Sequence, residues 1–204
     1  GLFRTARQLA ADGFTRDGRD WLQAKGKARY IPLYEAKMIH HYDHRWAIYV
    51  DDSEKDQTRD LSTAEKDDPR FEVTPRYWVP ETEVVDRLTA KGWTRGWLMG
   101  WRDICRSTDE RTIIAGTIPR SGCGDTLLLM MPDVPKIQAT AALLACLDSI
   151  PGDYVCRQKI GGTHLKYNVF KQLAVLPPSS FAEVDLAFIT PRVIELTYTS
   201  HTMK

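Results

Sequence analysis

The sequence contains none of the compact signatures of nucleotide or acyl chemistry. Its glycines never fall as G-x-G-x-x-G, and there is no P-loop and no G-x-S-x-G elbow, so a dinucleotide enzyme, a phosphate-cradling ATPase and an α/β-hydrolase are excluded on motif grounds. No N-P-P-Y or D-P-P-Y tetrapeptide occurs, and Pro177-Pro178 is followed by Ser179. The piece that holds an extruded adenine for methylation is therefore missing. Cysteine is scarce: Cys105, Cys123, Cys146 and Cys156 form no C-x-x-C pair, which argues against a zinc ribbon. No apolar run approaches the roughly 18–20 residues of a membrane-spanning helix. The longest, Ala139 to Leu147, is broken by Asp148 and Pro151. Arg4, Arg7 and Asp12 interrupt any signal peptide, so a cytoplasmic protein with free thiols and no membrane association is expected. Residue 1 is Gly rather than Met, which points to a piece of a longer protein. Internal repeats and low-complexity tracts are absent.

The 204 residues suffice for one sizeable core, and 43% hydrophobic with 27% charged residues is an ordinary folded composition. The net charge of +1 conceals an uneven distribution: residues 1–50 carry +4, 51–68 carry −5, 69–152 balance, and 153–177 carry +3. A nucleic-acid partner needs local positive surface rather than a high total, and the first and fourth of these blocks supply it. A generic solvated surface explains the charge equally well.

Periodicity and composition predict a mixed α+β chain. Phe3 to Ala11 reads as a short helix. Tyr30–Leu33, Trp46–Val50, Tyr77–Val79, Trp97–Trp101, Thr112–Ile118 and Thr126–Met131 read as strands. A helix from Glu81 to Ala90 has acids in its first turn and ends at Gly92. Further helices are expected over 135–149 and Asp153–Lys159, with a short basic amphipathic piece from Lys166 to Gln172 and a strand from Leu173 to Leu176. The tail from Phe181 to Thr199 reads as helical but broken at Pro191. Residues 51–69 have almost no apolar content and read as an exposed acidic loop. It would separate an N-terminal linking segment, 1–50, from a second part, 70–204.

Four groups of residues bear on chemistry. Trp93, Trp97 and Trp101 recur every fourth position among Arg95, Arg102 and Arg106. In a strand the three indoles share one face, with Arg95 beside them and Arg102 opposite. Such a stripe builds a core or stacks on bases. The polar stretch Arg102–Thr112 holds Arg102, Arg106 and Arg111, suited to bidentate base contacts, with Asp103 and Asp109 placed to orient them. Gly161-Gly162-Thr163-His164-Leu165-Lys166-Tyr167 combines two glycines, which allow close backbone approach, with donors at His164, Lys166 and Tyr167. Arg157 and Lys159 precede it and Lys171 follows. A plain turn between helices is the competing reading. His40, His41, Asp43 and His44 match no established zinc spacing. A hydrogen-bonded structural or DNA-facing role is expected there, and no metal. Glu35-Ala36-Lys37 with Asp20 upstream matches half of a magnesium-nuclease signature.

Several longer words then carry a likeness. They are Leu33-Tyr34-Glu35-Ala36-Lys37-Met38-Ile39-His40-His41-Tyr42-Asp43-His44-Arg45, Pro75-Arg76-Tyr77-Trp78-Val79-Pro80, Gly96-Trp97-Leu98-Met99-Gly100-Trp101-Arg102-Asp103-Ile104 and Ser107-Thr108-Asp109-Glu110-Arg111-Thr112. The last runs from Ala141-Ala142-Leu143-Leu144 through Tyr154–Lys159 and Gly161–Leu165 to Leu176-Pro177-Pro178. Over most of residues 30–199 the chain resembles the C-terminal, TaqI-like specificity domain of type IIG-like restriction-modification DNA adenine-N6 methyltransferases. Its last block also resembles the target-recognition domains of type I specificity subunits. The resemblance implies a target-recognition fold of small twisted sheets with packed helices. It also implies double-stranded DNA as partner and no catalytic residue in this chain. A methyltransferase domain elsewhere in the parent would bind S-adenosylmethionine, and residues 1–50 would adjoin it; this chain itself needs no cofactor. The residues expected on the DNA are Arg95, Arg102, Arg106, Arg111, Arg157, Lys159, Gly161, Gly162, His164, Lys166, Tyr167 and Lys171. Two alternatives stand beside this reading: a magnesium-dependent nuclease using Asp20, Glu35 and Lys37, and a protein-docking module of the same enzyme.

Overall fold

The computed structural model describes residues 1–23, 26, 28–50, 57–134 and 136–204. Both helices and mainly antiparallel sheets are present, so the chain is mixed α+β. Among the described residues no helix is long and apolar enough to cross a membrane.

The central divider is a three-stranded antiparallel sheet. Strand β7 (Trp97–Arg102) lies between β8 (Ala115–Pro119) and β10 (Leu127–Met130). Alternation along β7 sorts its side chains between two cores. Leu98 joins Ile118 and Leu127 in a core with Ile31, Leu33, Tyr34 and Val79. Met99 and Trp101 join Ala115 in a second core under Leu144, Leu147, Cys156, Leu165 and Val193. The register that pairs Met99 with Thr117 and Trp101 with Ala115 keeps each set on one face.

The first core lies against a second sheet, in the order β1 (Phe14–Asp17), β2 (Asp20–Gln23), β3 (Arg29–Tyr34) and β6 (Trp78–Pro80), with β9 (Gly122–Cys123) parallel to the end of β3. Strands from 1–50 and from 70–204 therefore share one sheet and one core. The β1–β2 hairpin is absent from the strand pattern expected above. Its two-residue turn places Gly18 at φ +58°, the backbone that a type II′ connection requires at its first central position. Helix α1 (Ala6–Ala11) opens with a capping box between Thr5 and Gln8. Helix α3 (Glu81–Thr89) buries Val84 and Leu88 in the first core.

The expected loop 51–69 needs correction over its described part. Residues 51–56 lie outside the described residues. Beyond them, β5 (Thr58–Asp60) pairs with β4 (Ala47–Tyr49), Leu61 is buried, and α2 (Thr63–Asp67) is capped by Ser62 and Glu65. One buried leucine and one buried cation, Arg45, organise this polar stretch. Arg45 donates to the carbonyls of Lys66, Asp68 and Phe71 at 2.8–3.0 Å.

The second core is roofed by α4 (Ile137–Leu147), α5 (Ile150–Lys159), the single turn α6 (Tyr167–Phe170) and α7 (Glu183–Thr197). Two expectations fail here. Residues 173–176 form no strand; Ala174, Val175 and Leu176 are exposed. Helix α7 runs unbroken through Pro191. Ala187, one turn earlier, and Pro191 both lie on the exposed face, where a carbonyl deprived of its amide partner can be solvated.

Candidate nucleic-acid interface

The two stretches singled out in the sequence, 102–112 and 161–167, are joined in space. Ile104 and His164 form an antiparallel bridge. Leu165 N donates to Asp103 O at 2.7 Å, and Cys105 N to Thr163 O at 3.1 Å. The indole of Trp101 anchors the second stretch by donating to Leu165 O at 2.8 Å. It also stacks on Phe170 at 3.7 Å and meets Tyr167 edge-on at 5.0 Å. Tyr167 in turn donates its hydroxyl to Leu129 O.

Beneath this junction lies Asp103, whose side chain is almost wholly buried. One carboxylate oxygen accepts from His164 Nδ1 at 2.8 Å and from Lys166 Nζ at 2.7 Å. Asp103 therefore orients a histidine and a lysine rather than the arginines beside it in sequence. Both of these cationic or ionisable groups remain half exposed. The imidazole is bound through Nδ1, so its Nε2 edge is the one left for another partner.

The loop itself is stapled from inside by an i,i+4 pair on α5. Asp153 accepts from Thr112 N at 2.6 Å and Ile113 N at 3.1 Å. Arg157 binds Asp153 at 3.0 Å and donates to the carbonyls of Ser107, Asp109 and Glu110. Burial pushes the Asp153 carboxyl up, but the hydrogen bonds from Arg157, Ile113 and Thr112 outweigh it and hold the pKa below the ordinary value. Arg157→Ala is expected to accelerate amide hydrogen exchange at 107–113 at least tenfold while leaving β7 protected. That amounts to a local opening cost lowered by about 1.4 kcal/mol or more, the scale of one charged hydrogen bond.

The other expected site residues divide into three sets. Arg102 and Arg111 line the surface but direct donors inward: Arg102 onto Ile39 O through Nε at 2.8 Å, Arg111 onto Asp148 O at 2.6 Å. Arg106, Lys159, Gly161, Gly162 and Lys171 are exposed. Arg95 sits elsewhere, over the rings of Trp93 and Trp97 at 4.8 and 5.2 Å. The six residues of β7, about 20 Å long, separate it from the loop. Neither Gly161 nor Gly162 has a positive φ, and a Cβ on either would meet nothing within 4 Å. The chain's own packing makes no demand for glycine there.

Sequence reading misses a polar cavity of about 340 Å³ beside the loop, walled in part by His40, His41, Arg102 and Arg111. Burial, followed by the neighbouring Arg102, pushes His40 down to about 4, and burial lowers His41 as well. Both are thus neutral near pH 7. His44 is separate: its ring nitrogens bond Tyr34 Oη and Ser200 Oγ at 3.0 Å each, and burial pushes it down to about 3. Among the described residues no three His, Cys, Asp or Glu side chains gather as metal ligands would. Asp20, the first residue of the nuclease alternative, is buried against Arg29 and lies 3.7 Å from Arg19. A magnesium ion there would compete with two guanidinium groups. Comparison with protein-family models, curated proteins and solved structures returned no match for this chain.

Proposed function

We propose that the chain is a duplex-DNA-reading module of an adenine-modifying or restriction-modification enzyme, with the chemistry and the S-adenosylmethionine site in another part of the parent. The observation that carries this reading is the junction of 103–112 with 161–167. Two polar segments about 60 residues apart in sequence build one surface, with the anion Asp103 buried beneath it and His164 and Lys166 presented above. Exposed Arg106, Lys159 and Lys171 add positive charge on the same segments or directly beside them. The glycine pair supports the reading too, since nothing within the fold calls for it and close approach of a phosphate backbone does. Lys and Arg contacts to phosphate supply affinity, and groups held in fixed orientation, such as His164, supply discrimination.

The test is fluorescence anisotropy of a labelled duplex across a salt series. Arg106, Lys159 and Lys171 are replaced together by alanine, because none has a structural task of the kind Lys166 has on Asp103. Binding is expected to weaken, and the slope of log K against log salt to fall by about 0.9 for each phosphate that these cations neutralise in the wild type. Unaltered affinity and slope would remove this surface from the proposal.

A further inference from the structure

The roof over the second core does not close completely. Between the β7–β8 face and helices α4 and α7 lies a cavity of about 190 Å³. Trp97, Met99, Ala141, Leu144, Val193 and Met203 supply apolar wall, and exposed Ile137, Ile194 and Tyr198 rim it. Three threonines, Thr117, Thr140 and Thr197, interrupt the apolar lining. Thr117 Oγ1 and Thr140 Oγ1 are buried and have no hydrogen-bond partner among the described residues. Thr140 is only 4% exposed. The neighbouring Thr197, by contrast, donates its hydroxyl to Val193 O at 2.8 Å. Buried hydroxyls are normally paired, because leaving one unmade is costly. An apolar pocket with a few convergent polar groups is the general form of a small-molecule site.

Size restricts the occupant. An apolar cavity of about 150 Å³ accommodates benzene, so this one takes a single ring with one or two further heavy atoms. The indole of Trp97 and the thioether of Met99 are suited to contact with an aromatic ring. We propose that this cavity binds a monocyclic aromatic molecule carrying one hydroxyl-type group, with the ring against Trp97 and Met99 and the polar group bonded to Thr140 or Thr117. The site is independent of the DNA-reading proposal: Trp97 begins β7, and the loop follows its far end.

The experiment uses the full chain labelled with ¹³C-methyl methionine, titrated with phenol and, in parallel, toluene. Met99 and Met203 line the cavity, and Met38, buried in the other core, serves as internal reference. Phenol is expected to shift the Met99 and Met203 methyl signals saturably and to leave Met38 in place. Thr140→Val should weaken phenol about tenfold, the worth of one neutral hydrogen bond, and change toluene less than twofold. The Met38 signal reports whether the variant keeps its fold, and Thr117→Val provides a second variant. Absence of saturable shifts, or equal shifts at Met38, overturns the site. If neither variant separates phenol from toluene, recognition of the hydroxyl is overturned.

Discussion

Arg45→Met is expected to cost about 3–5 kcal/mol of folding stability, because it strips several buried carbonyls of their donor at about 1–3 kcal/mol for each one left unpaired. Typical domains hold only about 5–15 kcal/mol in total. Arg45 is 2% exposed and its guanidinium faces backbone carbonyls rather than a carboxylate: Lys66 and Asp68 at 2.8 Å, Phe71 at 3.0 Å and Glu65 at 3.5 Å. Methionine fills much of the stem's volume but leaves these buried acceptors without donors. Arg45→Lys should recover little, since an ammonium is a single point of charge and cannot reproduce the planar fork. Urea denaturation measures the loss, and hydrogen exchange should place the earliest opening at 57–73, where Leu61 and Val73 are uncovered. A loss below about 1 kcal/mol for the methionine variant, no more than one ordinary hydrogen bond, would show that these carbonyls find other donors.

Asp148→Asn is expected to act in the opposite direction and only at higher pH. Asp148 caps the C-terminus of α4, where the helix dipole disfavours an anion. Its side chain is fully buried, and burial pushes the carboxyl up to about 8. One oxygen accepts from Ala115 N at 2.9 Å, a bond the asparagine amide can keep. The unfolded chain ionises this group near pH 4 and the folded chain near 8. Between those values the unfolded state binds fewer protons, so wild-type stability falls as the pH rises through this window. His40 and His44, depressed to about 4 and about 3, contribute with the reverse sign below their ordinary pKa. Subtracting the wild-type curve from that of the asparagine variant cancels both; His41, also lowered by burial and 3.7 Å from Asp148 through Nε2, is removed from the comparison by repeating the pair of curves on a His41→Gln background. The two proteins should be equally stable near pH 4 and diverge steadily towards pH 8, with the variant ahead. Parallel curves would mean that Asp148 is ionised in the folded protein throughout.

Much of the secondary structure is legible in the sequence because its causes are local. The run Trp97–Trp101 announces β7, acids in the first turn and Gly92 bracket α3, and the apolar spacing from Ile137 to Leu147 announces α4. The β1–β2 hairpin has a local signal too, Asp17-Gly18 between alternating residues, but a weak one, since both strands are short and largely polar. Residues 57–69 mislead because composition averages away single residues: Leu61 and the distant Arg45 order a stretch that is otherwise polar. Pro191 suggests a break because local chemistry carries no information about which side of a helix faces water. The candidate site follows the same division. Its two segments stand out by residue type, while the partners of Asp103 do not, because His164 and Lys166 lie more than 60 positions away.

By itself, then, the order of residues determined the α+β character, most element positions and the two polar segments of the candidate site, since propensity, capping and side-chain alternation act within a few residues. The tertiary structure alone decided which cations point outward and which grip the chain's own carbonyls. It also set the buried environments that move Asp148 and His40 and the cavity beneath α7. Each of these depends on desolvation and on contacts between residues far apart in sequence, and neither is set before the chain has packed.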